Sequence, residues 1–438
     1  MKKLFTIVLV AITTTMYAQF TLNGEIRPRT EFYHGYKNPV QNETMFSLAT
    51  SQRTRLGFGY KSDLFDVGIQ MQDVRTWGQE KQLVNGDGAH TTIHQAWTSI
   101  KLCELVALKV GRQELVYDDS RILGNVGWAQ QARSHDLALF KIEKKDAFKL
   151  HAGFAINTVQ VDPYAVANYK SMQFLWFHKS FGDAYTLSVL ALNNGVDDVT
   201  PRMGTTTTSF SQIIGQRSVY KAGKFTAGLN FYYQMGETTG TYVDDNGDNQ
   251  KQKLGAYDLG IDLNYKLNDN IGFGAGYEML SGNSQTETDA SYAQTNHAFT
   301  PLYGTNHKFN GWMDYFYVGN HKNSVGLNDA YVKATYKKDK FLSGVIAHYF
   351  MANQDVKDVK NSTATDIKTM ASGLGTELDM FAGYRLGKGV LFKAGVSMMF
   401  ASETMHTLKG TDFDTAGTNY WGWMMIVVKP TFFQSEKK

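Results

Sequence analysis

Cysteine is nearly absent from this 438-residue chain: Cys103 stands alone, which excludes an internal disulfide. Proline is scarce, 6 residues against 41 glycines, so little interrupts a hydrogen-bonded ladder. Beyond Ala18 no apolar run approaches the roughly 20 residues that a membrane-spanning helix needs. The mean hydropathy is negative, −0.33. The histidines are scattered without metal-ligand spacing, so neither a metal nor another cofactor is expected. A formal charge of only +3 offers no basic surface for nucleic acid.

The amino terminus carries a leader. Lys2 and Lys3 precede an apolar run from Leu4 to Ile12, and the segment ends at Tyr17-Ala18-Gln19. This is the order of a secretory signal with cleavage after Ala18. Residues 1–18 are therefore read as signal peptide and 19–438 as one domain. No cysteine lies at the cut to mark a lipoprotein. No plug domain is expected ahead of the first strand, which argues against an energised siderophore-type transporter.

What is abundant is aromatic side chain, with 24 Tyr and 27 Phe, and alternation with period two. Tyr257, Leu259, Ile261, Leu263 and Tyr265 alternate with Asp258, Gly260, Asp262 and Asn264. Ile271, Phe273, Ala275, Tyr277 and Met279 alternate with Gly272, Gly274, Gly276 and Glu278. Runs at 148–157, 225–234, 374–386 and 390–400 repeat the pattern. Alternation of this kind marks strands with one apolar and one polar face. The runs reach the length of tilted transmembrane strands and exceed most soluble ones. Short polar connections recur at 61–66, 102–105, 144–147, 181–184, 222–224, 268–270, 337–340 and 387–389. Long polar stretches such as 235–252, 280–323 and 352–372 lie between them. Eight tight turns join sixteen strands in pairs, and strands over 20–33 and 418–430 bring the total to eighteen. The fold expected is all-β: a transmembrane antiparallel up-and-down barrel with short periplasmic turns and long extracellular loops. Eighteen strands leave an aqueous lumen unless loops fill it. The implied location is the outer membrane of a Gram-negative bacterium. Its lipids and the barrel-assembly machinery are the expected partners, with periplasmic export or uptake components a further possibility.

The polar parity should face the lumen. It places Arg27 and Arg29 on the first strand and Arg53 and Arg55 on the second. Arg75 follows on the third if a bulge shifts parity after Met71, and Lys109, Arg112, Arg121 and Arg133 come next. Eight of the eleven arginines precede residue 134, and neighbouring strands would gather them into one basic wall. Guanidinium is a permanently charged fork matched to carboxylates, so the wall suits an anionic chain handed from site to site. Two bland readings stand beside it. Glu25, Glu31, Asp136, Asp258, Asp262, Glu278, Glu377 and Asp379 could pair with the arginines and brace the barrel. A general porin would instead oppose basic and acidic walls.

The stretch 109–143, KVGRQELVYDDSRILGNVGWAQQARSHDLALFKIE, carries more than periodicity. With RLGFGYKSD at 55–63, QDVRTWGQE at 72–80 and HQAW at 94–97, it resembles the alginate export family of outer-membrane porins. The resemblance covers about the first third of the chain. It implies an 18-stranded barrel with an electropositive lumen that passes an anionic uronate polysaccharide. Arg112, Arg121, Arg133 and Asp136 match motif positions expected to line or gate such a channel. The short 387–389 connection departs from the family, because it leaves no room for a long periplasmic gating loop.

Residues 113–131 read as a loop that either packs on the rim or folds inward as a constriction using Tyr117, Arg121 and Trp128. The Asp-rich run 244–249 fails calcium-loop spacing. Ser134, His135 and Asp136 cannot form a hydrolytic triad, since adjacent strand residues point to opposite faces. No enzyme is expected. The expectation is a passive, anion-selective channel for an anionic saccharide. The alternatives are a general diffusion porin and a non-conducting barrel whose loops bind a partner.

Overall fold

The computed structural model describes residues 18–82, 91–157, 169–198, 207–244, 246–317, 320–321 and 324–435. Apart from Ala18, the expected leader lies outside them. Eighteen strands form a closed antiparallel barrel. The first six are β1 (Gln19–His34), β2 (Ser47–Lys61), β3 (Phe65–Thr76), β4 (Thr91–Lys101), β5 (Val106–Gln113) and β6 (His135–Lys144). The next are β7 (Phe148–Ile156), β8 (Ser171–Phe181), β9 (Tyr185–Asp198), β10 (Thr207–Ala222), β11 (Phe225–Val243) and β12 (Asn249–Lys266). The last are β13 (Ile271–Leu280), β14 (Leu327–Lys338), β15 (Phe341–Met351), β16 (Gly373–Gly387), β17 (Val390–Ala401) and β18 (Asn419–Val428). Each pairs with its sequence neighbours, and β1 closes on β18 from Ile26↔Val428 to His34↔Tyr420. Closure satisfies the backbone polar groups of both edges, which lipid could not.

The alternation sorts faces as expected. On β12, Tyr257, Ile261, Leu263 and Tyr265 are exposed on the outer wall while Asp258 is fully buried inside. On β13 the inward face is Gly272, Gly274, Gly276 and Glu278, opposite exposed Phe273 and Tyr277. The eight tight turns lie at one end, the periplasmic end in this architecture. The chain termini of the barrel share that end.

The core is unusual in position: it sits inside the barrel and is supplied by loops. Leu115, Tyr117, Ile122 and Leu123 come from the β5–β6 loop, and Phe299, Met313, Tyr315 and Phe316 from the β13–β14 loop. They pack against wall residues such as Trp176, Phe350, Trp421 and Trp423. The β17–β18 loop adds helix α1 (Glu403–Lys409). Ser402 caps its start by accepting from Met405 N at 3.1 Å, and Gly410 ends it at φ 66°. Met405, on its first turn, is fully buried.

Candidate functional site

The β5–β6 loop folds inward and crosses the lumen. Its far end is gripped by the arginines of β1 and β2. Cross-strand pairing sets Arg27 opposite Arg53 and Glu25 opposite Arg55, so all four share the inner face. Arg27 donates to Gly127 O at 2.7 Å, Trp128 O at 3.0 Å and Ala129 O at 3.1 Å. Its Nε and Nη2 also reach Gln130 Oε1. Arg29 donates to Trp128 O at 2.6 Å, stacks over the Trp128 ring at 4.2 Å and meets Glu31 at 2.9 Å. Arg53 holds Glu25 at 2.5 Å. Arg55 donates to Gln72 at 2.7 Å and lies 3.8 Å from Glu114. Bare carbonyls need donors when buried, and here guanidinium forks supply them. The grip holds Val126 at φ 49°, a conformation β-branched residues rarely adopt.

Trp128 is half-buried among other rings. His307 stacks on it at 4.8 Å, and Trp423 and Trp421 meet it edge-on at 4.9 and 5.7 Å. Tyr117 anchors the near part of the loop, bonded to His151 at 3.0 Å and packed on Trp176 at 4.8 Å. Between them Arg121 reaches the opposite wall. It pairs with Asp258 at 3.1 Å and Glu278 at 2.9 Å, is 1% exposed, and covers Phe309 at 4.6 Å. Burial alone would lower its pKa, but the two carboxylates outweigh that and raise it.

The β13–β14 loop folds inward as well and interlocks with the first. Gly124 N donates to Tyr303 O at 2.9 Å and Thr305 N to Ser120 O at 2.9 Å. Arg133 donates to Gly304 O at 3.1 Å; its burial lowers its pKa. Glu377 on β16 accepts from Met313 N at 2.8 Å, pinning this second loop to the wall. Lys409 of α1 clamps it from above by donating to Tyr315 O and Asn320 O.

Three expected lumen residues face elsewhere. Arg75 lies on the outer face, bidentate to Asp73 at 2.7 Å. Its parity is that of exposed Ile69 and Met71, because the bulge falls in β4, where His94 is the extra residue, and not in β3. Arg112 and Asp136 are cross-strand partners at 2.6 Å and also face outward. Arg112 stands three residues from Lys109, an odd step that reverses the face. Lys109 itself points inward over Trp97 at 3.9 Å. Asp136 shares the outer face with exposed Phe140, while adjacent His135 is buried within.

Ser134 does meet a histidine, but from another strand. Its Oγ lies 3.1 Å from His94 Nδ1, and His94 Nε2 lies 2.7 Å from Glu114. The hydroxyl nevertheless donates to His94 O at 2.6 Å. Its only proton is thereby committed to a backbone carbonyl, which is bracing and not nucleophile activation. Among the described residues no group of acidic, His or Cys side chains could hold a metal ion.

Sequence reading passed over Arg217, Lys308, Lys333, His307 and Asp314. Arg217 on β10 pairs with Asp119 at 2.8 Å. His307 meets Asp314 at 2.8 Å. The strand positions follow from inward parity. The loop positions carry no periodic signal.

A wide closed barrel with short turns, outward apolar faces and two inward-folded loops is the architecture of an outer-membrane porin. The alginate export family model matches residues 19–419, and the chain belongs to that family. No curated protein matches it. Among solved structures, OccAB4 of Acinetobacter baumannii aligns at TM-score 0.58 and 11% identity, covering 95% of this chain and 98% of that one. A BenF-like porin from Pseudomonas fluorescens Pf-5 aligns at 0.57 and 14%, covering 94% and 99%. OpdK of Pseudomonas aeruginosa, solved with vanillate, aligns at 0.53 and 12%, covering 94% and 99%. At such identities the likeness concerns the fold alone.

Proposed function

We propose that this chain is a passive, anion-selective channel in a Gram-negative outer membrane, conducting an anionic saccharide such as a uronate polysaccharide or its fragments. The observation that carries the reading is the guanidinium cluster of Arg27, Arg29, Arg53 and Arg55 on the inner wall. Glu25, Glu31 and Glu114 are the carboxylates beside it, so positive charge is in surplus. Among the described residues the nearest carboxylate to Arg27 is that of Glu25, at 4.0 Å. The Trp128 ring lies under the Arg29 guanidinium at 4.2 Å. Rings against sugar faces and cations against carboxylates are complementary to a polyuronate. Family membership points the same way.

One observation favours the second reading, a general porin with opposed walls. Asp258, Glu278, Asp329, Glu377 and Asp379 are all buried on the inner faces of β12 to β16. Planar-bilayer recording on the mature protein separates the two. The anionic-saccharide reading expects a reversal potential set by chloride under a KCl gradient, and block by added polyuronate. Weak selectivity and indifference to polyuronate would establish the general porin instead.

A further inference from the structure

Beneath the crossed loops, on the tight-turn side, lies a cavity of 190 Å³. Its walls are β10 to β15 and its ceiling is loop residues 308–312. Glycines keep its floor low. A Cβ at Gly274 would sit 2.4 Å from Lys333 Cε, and one at Gly276 would sit 2.4 Å from Tyr331 Cζ. Their strand partners across the ladder are Lys333 and Tyr331 themselves. The glycine face of β13 thus lets a lysine and a tyrosine lie flat along the wall.

The charges of this cavity divide into two sets. The acids are already engaged. Asp119 and Asp262 hold Arg217 at 2.8 and 3.4 Å, Glu278 holds Arg121 at 2.9 Å, and Asp329 holds His348 at 2.8 Å. The lysines are not. Among the described residues neither Lys308 nor Lys333 makes an ion pair. Lys308 is exposed, its Nζ donating to Asp119 O at 2.7 Å and standing 5.3 Å from the centre of the Phe309 ring. Phe309, Trp312 and Tyr331 line the same space. Two unpaired ammonium groups facing one cavity repel, and a bound carboxylate would relieve both. The remaining ring faces suit the apolar side of a pyranose, and the engaged carboxylates can still accept from its hydroxyls. At about 15 Å³ of such space per water, the cavity holds on the order of a dozen heavy atoms, the size of one hexuronate unit.

We propose that this cavity is a periplasm-facing subsite for a single uronate ring, with Lys308 and Lys333 receiving its carboxylate. It rests on the anionic-saccharide reading above and names a recognition point for it.

The test is calorimetric titration of the full-length mature protein in detergent with glucuronate, its methyl ester, and the variants Lys308→Gln and Lys333→Gln. Lys145→Gln, on an exposed periplasmic turn, controls for overall charge. Glucuronate should bind. The ester, which removes the charge from the ligand and leaves the protein untouched, should bind about tenfold more weakly or worse, as should each lysine variant with the free acid. Lys145→Gln should match the parent. Equal affinity for acid and ester, wild-type affinity in both lysine variants, or no glucuronate binding overturns the subsite. If the pore then proves anion-selective and polyuronate-blocked, only the subsite falls. If it proves cation-selective, the reading beneath it falls too.

Discussion

Arg121 shows how one residue can decide the state of the lumen. It is the contact that ties the β5–β6 loop to β12 and β13, and it leaves two carboxylates behind when removed. Breaking a buried pair on one side costs on the order of 3–5 kcal/mol, because the orphaned charges stay buried. Arg121→Met should therefore lower the temperature of the folded-to-unfolded gel shift and raise open-channel conductance and noise. Unchanged conductance with unchanged shift temperature would refute the crossbar role. At this scale the sequence was partly legible. The inward parity of Arg27, Arg29, Arg53 and Arg55 followed from alternation alone. Arg75 did not, because which of two paired strands carries a bulge depends on the ladder and not on either strand's own pattern. Nor could the sequence reveal that the inward guanidinium groups are largely occupied by carbonyls of the chain's own loop.

The elements divide into those encoded locally and those encoded by the barrel. Strands such as β12 and β13 announce themselves by period two, and all eight tight turns fall where polar breaks interrupt it. The two long loops have no period, and their inward fold is dictated by partners far along the chain: Arg27 for Trp128, Glu377 for Met313. Replacing residues 117–131 by a short Gly-Ser linker should raise conductance severalfold. It should also increase anion selectivity, since Arg27, Arg29 and Arg53 would lose their carbonyl partners. Larger conductance with unchanged selectivity would mean that the wall's carboxylates neutralise it. The second loop should respond to acid. His321 Nε2 donates to Gly326 O at 2.9 Å, and burial lowers its pKa from 6.5 to about 4. Above pH 6.5 it is neutral whether the loop is docked or not. Between 6.5 and 4 the undocked form binds a proton that the docked form refuses, so docking weakens as pH falls. Lys409, which clamps the same loop, stays protonated through that window, with its pKa lowered by burial to about 8. Hydrogen exchange of the segment 324–327 should accelerate from pH 7 to pH 5 beyond the intrinsic chemical trend. His321→Gln should lose that excess, and an identical excess in the variant would remove His321 from the account.

For the whole molecule the governing fact is closure. β18 does two things at once: it completes the ladder with β1, and it carries Trp421 and Trp423, which back Trp128 from the inner wall. Beyond it, Thr431–Gln434 continues along β1 through Leu22 and Asn23, with every residue exposed. These two pieces should differ sharply in what their loss does. Ending the chain after Val428 frees only the first residues of β1, Phe20 to Gly24, from their partners, so the barrel should still assemble and conduct with the parent's selectivity but unfold at a lower temperature. Ending it before Asn419 leaves unpaired edges on β1 and β17 within lipid, where each unsatisfied backbone group is costly, and strips the loop of its tryptophan support. No heat-modifiable band and no channel should then be recovered from membranes or refolding. A conducting, heat-modifiable product from the shorter chain would show that β1 can close on β17 instead, and that the eighteenth strand is a lining element and not a structural necessity.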